Sequence, residues 1–339
     1  MERAIMCPQC NAPLTPHPFA NSAVCSYCGA TVQLDVSSIS AERFHDSYRV
    51  WNSPTSYPFP AWLSMGDSHW AVHQMIGQGD SSDVYTAQRA RWPTELVVVK
   101  TLRDEKDAAL LENEWRTIQI LLGSQARGAD TFSALMPQSV IHGKISDGQF
   151  NGKHASIFRW QSGFRHTLAD VIKVYPQGIP PRAVIWVWRR ILESLSFIHS
   201  SGMVHGAILP EHLLVQGNEH GIRLVGFGYA GKKGDRLPGI VRENQGFYPG
   251  SGKFKQVLSP QLDLCMSARC LSVVLGGDPS AQVLPAAVPA PIASVIMRVA
   301  RLDPDGKPGE DAWSIREELG QLAKDVFGPS QFIPIVMPD

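Results

Sequence analysis

Four of the six cysteines stand in two close pairs, Cys7-Pro8-Gln9-Cys10 and Cys25-Ser26-Tyr27-Cys28. A C-x2-C turn aims two thiolates at one point. Two such turns facing each other enclose a tetrahedral ion with four sulfur ligands. Asn11 and Gly29 follow the second cysteine of each pair, and both residue types tolerate the positive φ that such tight turns often need. The expectation is a structural zinc ribbon held by Cys7, Cys10, Cys25 and Cys28. Four protein ligands leave no open position for catalysis. So short a segment buries little core, and the metal would supply its folding energy. No Lys or Arg occurs from Ala4 to Glu42. Phosphate contacts need cations, so protein contact is favoured over nucleic acid, with a purely structural role as the plain alternative.

A second series of chemistry-bearing residues begins after Trp70. An apolar strand, Val72–Ile76, leads into Gly77-Gln78-Gly79-Asp80-Ser81-Ser82-Asp83-Val84, and Leu96-Val97-Val98-Val99-Lys100 is a strand ending on a lysine. Ala108–Leu122 sets Leu111, Trp115, Ile118 and Leu122 on one helical face. Further on come His205-Gly206-Ala207-Ile208-Leu209-Pro210-Glu211-His212-Leu213-Leu214 and Ile222-Arg223-Leu224-Val225-Gly226-Phe227-Gly228. Ser259-Pro260-Gln261-Leu262-Asp263 and Asp303-Pro304-Asp305-Gly306-Lys307-Pro308 close the series.

In this order and spacing, from about Trp70 to Phe327, the chain resembles a eukaryotic-type protein kinase. The resemblance implies a bilobal α+β fold: a small β-rich lobe and a helical lobe, here behind a zinc ribbon. It places Gly77, Gly79, Val84, Val98, Lys100, Glu114 and Leu214 around a nucleotide cleft. In that family a helix carboxylate pairs with the strand lysine, which implies that Glu114, with Glu112 as the second candidate, pairs with Lys100. It also identifies what is missing. Ala207 stands where the family has the aspartate that accepts the substrate's hydroxyl proton, and Leu209 where it has a lysine. His212 replaces a magnesium-binding asparagine, and Gly226 replaces the magnesium-binding aspartate of D-F-G. Gly206 replaces an arginine that receives an activation-loop phosphate.

The expectation is a pseudokinase with no catalytic residue and no magnesium site. Loss of the proton acceptor alone costs roughly 10²–10⁴ in rate. Nucleotide binding is a separate question. Val98 crowds the adenine slot where the family has Ala. Asp80 and Asp83 place carboxylates near the phosphates, at a cost on the order of 1–4 kcal/mol. ATP is disfavoured on both grounds. The rival reading is an atypical ATP-binding Ser/Thr protein kinase with relocated groups, such as His212 or Asp235. Gln261 and Lys307 replace a buried Glu–Arg ion pair of the family, and a hydrogen bond between them would avoid stranding one charge.

These residues need elements to hold them. Ala183–Ser200 carries apolar residues at helical spacing, and Leu168–Val174 suits a shorter helix. Val140–Ile145 and His154–Phe158 read as a hairpin, with an interlobe hinge at Arg159–Gly163. Cys265 and Cys270 sit in an apolar helical stretch as core thiols. The expected divisions are a ribbon over 1–36, a linker over 37–66, a kinase-like domain over 67–328 and a tail over 329–339. The linker is Ser- and Pro-containing with scattered aromatics, among them Tyr48, Trp51 and Trp62. The apolar tail suits a groove on the lower lobe.

With 44% hydrophobic and 18% charged residues, the chain has the composition of a folded domain rather than a disordered one. Its formal net charge of +0 gives no general attraction to nucleic acid or anionic membrane. No secretory signal or membrane span is visible, so a cytoplasmic location is expected. Lys232, Lys233, Arg236, Arg242, Lys253 and Lys255 cluster in the activation-like segment. They read as a solvated loop or, more sharply, as a docking surface for an acidic partner. The combined expectation is a scaffold or regulatory module that acts on protein partners.

Overall fold

Val97 and Val99 are fully buried, while the alternate residues Val98 and Lys100 are only half-buried. This period-two pattern draws the upper lobe into a sheet with one face on its own core. The computed structural model describes residues 5–7, 13–14, 22–25, 28, 30–33, 61–79, 81–90, 92–217, 220–249, 257–305, 309–331 and 333–338.

Two short hairpins come first: β1 (Ile5–Met6) with β2 (Pro13–Leu14), and β3 (Ser22–Val24) with β4 (Thr31–Gln33). The upper lobe holds β5 (Ala61–Met65), β6 (Ser68–Gln78), β7 (Ser82–Arg89), β8 (Trp92–Leu102), β9 (Ser139–Lys144), β10 (Asp147–Gly148) and β11 (His154–Arg159). They form one seven-stranded sheet in the order β10-β5-β6-β7-β8-β11-β9. Residues 61–65, which the sequence reading assigned to the linker, are a strand of this sheet. Leu63 is fully buried there, and β5 pairs with both β6 and β10. Helix α1 (Ala108–Leu122) joins the lobes through buried Leu111, Ile118 and Leu121.

The lower lobe is helical: α2 (Ala129–Phe132), α3 (Leu168–Val174), α4 (Pro181–Ser200), α5 (Pro260–Val274), α6 (Ala290–Val299) and α7 (Ala312–Phe327). Helix α4 starts two residues before the expected Ala183. Pro181 suits a first turn, where its missing N–H has no helical partner anyway. Trp188 on α4 donates to Ser267 Oγ on α5 at 3.1 Å, tying the two core helices. The short strands β12 (His166–Thr167), β13 (Met203–Val204), β14 (Leu213–Gln216), β15 (Gly221–Leu224) and β16 (Gly231–Lys232) complete the lobe. The tail runs over this lobe. Ile335 is 3% exposed, and its N–H donates to Gly217 O at 3.2 Å. Tyr175 Oη donates to Val336 O at 2.7 Å, and His220 Nε2 donates to Ile333 O at 2.9 Å.

Burial holds His205 and His220 each at a pKa of about 4. Both are neutral in the folded protein, whereas unfolded chains protonate near pH 6.5. The native state therefore binds fewer protons, and stability falls as pH drops from about 6.5 towards 4. Each histidine accounts for up to about 3 kcal/mol of that loss. Urea denaturation at stepped pH should show the decline, and His220→Gln should remove its own share.

Candidate functional site: a metal cluster and a closed cleft

Cys7 follows β1 and Cys25 follows β3, where the Cys25 N–H donates to Ala30 O at 2.7 Å to close the turn. The sulfurs of Cys7, Cys25 and Cys28 all lie within 4.8 Å of one another. Cys7 and Cys28 are 3.6 Å apart, sulfur to sulfur. A disulfide needs about 2.0 Å. Four thiolates at about 2.3 Å from a tetrahedral zinc stand about 3.8 Å apart. The spacing fits a metal such as zinc. Cys10, the fourth expected ligand, lies outside the described residues.

In the cleft between the lobes, Lys100 Nζ sits 2.6 Å from Glu114 Oε2. The other oxygen of Glu114 accepts the Phe227 N–H at 3.1 Å. Next to it, Asn113 Nδ2 donates to Gly228 O at 2.9 Å and to Ala230 O at 2.7 Å. Helix α1 is thus latched onto the loop that corresponds to D-F-G. Glu112 points elsewhere, to Arg116 and His142. Val84 is paired with Lys100 across β7–β8, Val98 faces Thr86, and Leu214 is half-buried on β14. Gly77 lies near the end of β6, and the Gly79 N–H closes the loop onto Ser82 O at 2.9 Å. Asp83, whose carboxylate the sequence places near the phosphate position, pairs with Arg103 at 3.0 Å. Asp80 lies outside the described residues.

Glu114 has a side chain only 4% exposed, so removing its cation strands a buried carboxylate. Lys100→Met is expected to cost about 2 kcal/mol in chemical denaturation. Lys100→Met with Glu114→Gln should regain at least half of that, because no unpaired charge remains.

The loop below the cleft hangs on Asp263 of α5. This fully buried carboxylate accepts the N–H groups of His205 and Gly206, both at 2.8 Å, and lies 2.9 Å from His199 Nε2. His205 Nε2 donates to Val225 O at 3.1 Å, and its ring centre lies 4.4 Å from that of Phe227. The scaffold is intact, and the chemical positions are packed shut. Ala207 and Leu209 are both buried among apolar residues. His212 Nδ1 donates to Ala207 O at 2.8 Å, and burial pushes the imidazole pKa down, which favours the neutral ring.

Gly226 has φ +80°, and a Cβ there would meet His212 Cδ2, Cγ and Nε2 at 2.5–2.6 Å. The imidazole fills the room a side chain at 226 would need. Gly206 shows the same pattern. With φ +74°, its missing Cβ would meet Tyr229 O at 2.6 Å, Leu258 Cδ2 at 2.8 Å and Leu237 Cδ1 at 2.9 Å. Asp235, the other group considered for recruitment, accepts the Lys232 N–H at 3.1 Å and stays within its own segment. Gln261 is buried, but its expected partner Lys307 lies outside the described residues. Asn113 and the fillers Leu237 and Leu258 escaped sequence reasoning, because nothing in their type or spacing distinguishes them from ordinary helix and loop residues.

No protein-family model matches the chain. A 170-residue stretch, 50% of this chain, is 28% identical to serine/threonine-protein kinase PknD of Mycobacterium tuberculosis in two strains, and spans only 23% of that protein's length. Among solved structures, vaccinia related kinase 3 superposes with a TM-score of 0.58 at 15% identity, covering 88% of this chain and all of that one. Strand order, the Lys100–Glu114 pair, the Asp263 anchor and these likenesses converge on one architecture: the chain has a bilobal protein kinase-like α+β fold, with a cysteine cluster at its amino-terminal end.

Proposed function

We propose that this protein is a catalytically inactive kinase-like scaffold or regulatory module, with a structural zinc ribbon, that works by binding other proteins. The observation that carries the reading is the His212 ring packed against Gly226. Phosphoryl transfer depends on cations that bridge and neutralise the phosphates. Here one of the two metal-holding positions has no side chain, and the imidazole at the other occupies the first one's space. Lys100 keeps its pairing with Glu114, as kinases require, but one lysine does not replace bridging divalent cations. Carriage of the pseudokinase fold without its chemistry leaves binding surfaces as its output. Among the described residues Lys232, Lys233, Arg236 and Arg242 form an exposed basic edge suited to an acidic partner. Among the described residues no helix is long and apolar enough to cross a membrane, and a cytoplasmic site of action is part of the proposal.

The rival, an atypical ATP-dependent Ser/Thr kinase, draws on the retained Lys100–Glu114 pair. Label transfer from the γ-phosphate of ATP separates the two. The purified chain should transfer no label to itself or to a generic acceptor above the level of its Lys100→Met variant. Transfer that Lys100→Met abolishes would establish the rival.

A further inference from the structure

A ribbon without cations poses an electrostatic problem. Zinc with four thiolates is a dianion, yet no Lys or Arg lies between Ala4 and Glu42. Metal–thiolate centres are steadied by outer N–H donors, whose loss typically costs about 10–100-fold in metal affinity. A cation brought by another element would offset the charge beyond what the ribbon's own backbone donors supply.

The structure shows where. A cavity of about 1310 Å³ has Cys7, Cys28 and Ala30 on one wall, and Trp186, Arg189 and Arg316 of α4 and α7 on the other. Three arginines gather there around one buried acid. Glu193 is 2% exposed and takes both Arg190 at 2.9 Å and Arg316 at 3.1 Å. Arg316 also pairs with Glu317. Arg189 is left over. Its Nε is shut off from solvent and makes no hydrogen bond, and its guanidinium lies across Gly320, 3.4 Å from where a Cβ would stand. Arg189 as a whole is half-buried, so the cost is that of one shielded, unpaired Nε–H. Desolvation, then Arg316 and Arg190, lower the Arg189 pKa, while Glu193 and Cys28 favour its charged form.

We propose that Arg189 is the counter-charge of the ribbon's metal–thiolate centre, and that it docks the ribbon on the α4–α7 face of the lower lobe. The proposal rests on the reading of the cysteine cluster as a zinc site. It makes the ribbon a fixed part of the molecule, whose position depends on metal.

The test uses the zinc-loaded full chain and follows zinc loss to excess EDTA, together with hydrogen exchange over residues 22–33 and over α7. Arg189→Ala is expected to release zinc about tenfold faster or more, Arg189→Glu faster still, and Arg189→Lys less than either. Exchange over both regions should rise in step. Arg190→Ala, which breaks a neighbouring pair on the same helix, should release zinc at the wild-type rate. Wild-type release and exchange in all Arg189 variants would overturn the docking proposal alone. So would equal acceleration by Arg190→Ala, which marks general damage to α4. A wild-type chain that holds no zinc would overturn both this proposal and the zinc reading beneath it.

Discussion

Gly226→Asp, the change that would rewrite the loop as D-F-G, is expected to destabilise the protein by about 3 kcal/mol and to create no magnesium site. Two costs add. A non-glycine residue in the left-handed region costs roughly 1–2 kcal/mol, and Gly226 has φ +80°. Overpacking a filled space costs roughly 1–3 kcal/mol, and the His212 ring stands 2.5–2.6 Å from the new Cβ. The two costs differ in origin, so a second substitution can separate them. His212→Asn removes the ring from that space and should recover the steric share, roughly 1–2 kcal/mol, while the backbone share remains. Urea denaturation of both single variants and the double variant gives the coupling energy. A Gly226→Asp chain as stable as wild type, or a coupling near zero, would show that the two positions do not compete for space. The His212 ring and a side chain at position 226 compete for one space, so Gly226→Asp alone meets resistance while His212→Asn alone does not.

Asp263→Ala is expected to cost about 4 kcal/mol, the loss typical of breaking a buried charged network. Asp263 is fully buried and accepts from two backbone N–H groups, those of His205 and Gly206, beside its contact with His199. Its loss leaves two buried donors without acceptors. The loop that carries Ala207, Leu209 and His212 then has nothing holding its start to α5. Asp263→Asn keeps one oxygen acceptor and should cost about half as much. Denaturant melts of the two variants check the order. If Asp263→Ala costs under about 1 kcal/mol, the loop is held by something else. The contacts Asp263 makes are with the loop backbone and His199, and they set the shape of that loop.

The helices show how much of this was legible in advance. α1 and α3 end where apolar spacing places their ends, at Ala108–Leu122 and Leu168–Val174. In both, one face is buried and the period of 3.6 is therefore written into residue type. Glu114 was the better of two readings for the same reason: it sits among the inward residues of α1, while Glu112 faces outward. Strand β5 was missed. Residues 61–65 follow a Ser- and Pro-containing stretch, and their strand character depends on partners, β6 and β10, that a short apolar run cannot announce. At Ala207, Leu209, His212 and Gly226 the departures from the kinase pattern were legible as residue types. That His212 fills the space at Gly226, or that Leu237 and Leu258 close on Gly206, was not. Those are contacts between segments distant in sequence, and no local spacing encodes them. The pairing of Asp83 with Arg103, just past the end of a different strand, β8, was not legible either.

The pairing of Lys100 with Glu114 is compatible with a kinase-like arrangement of α1. If the protein is inactive, as proposed, the cause lies in the lower wall of the cleft, between loops 205–214 and 226–228.

The most direct measurement is a thermal-shift titration with ATP, run with and without magnesium or manganese. A ligand present at 100 times its Kd stabilises by about 2.7 kcal/mol, a shift of several degrees in a domain of this size. If His212 closes the cleft to cations, adding either metal changes the ATP response by less than about 1 °C, a small fraction of that shift. A metal-dependent rise of several degrees, lost when His212 or Lys100 is changed, would contradict this and place divalent cations beside the nucleotide.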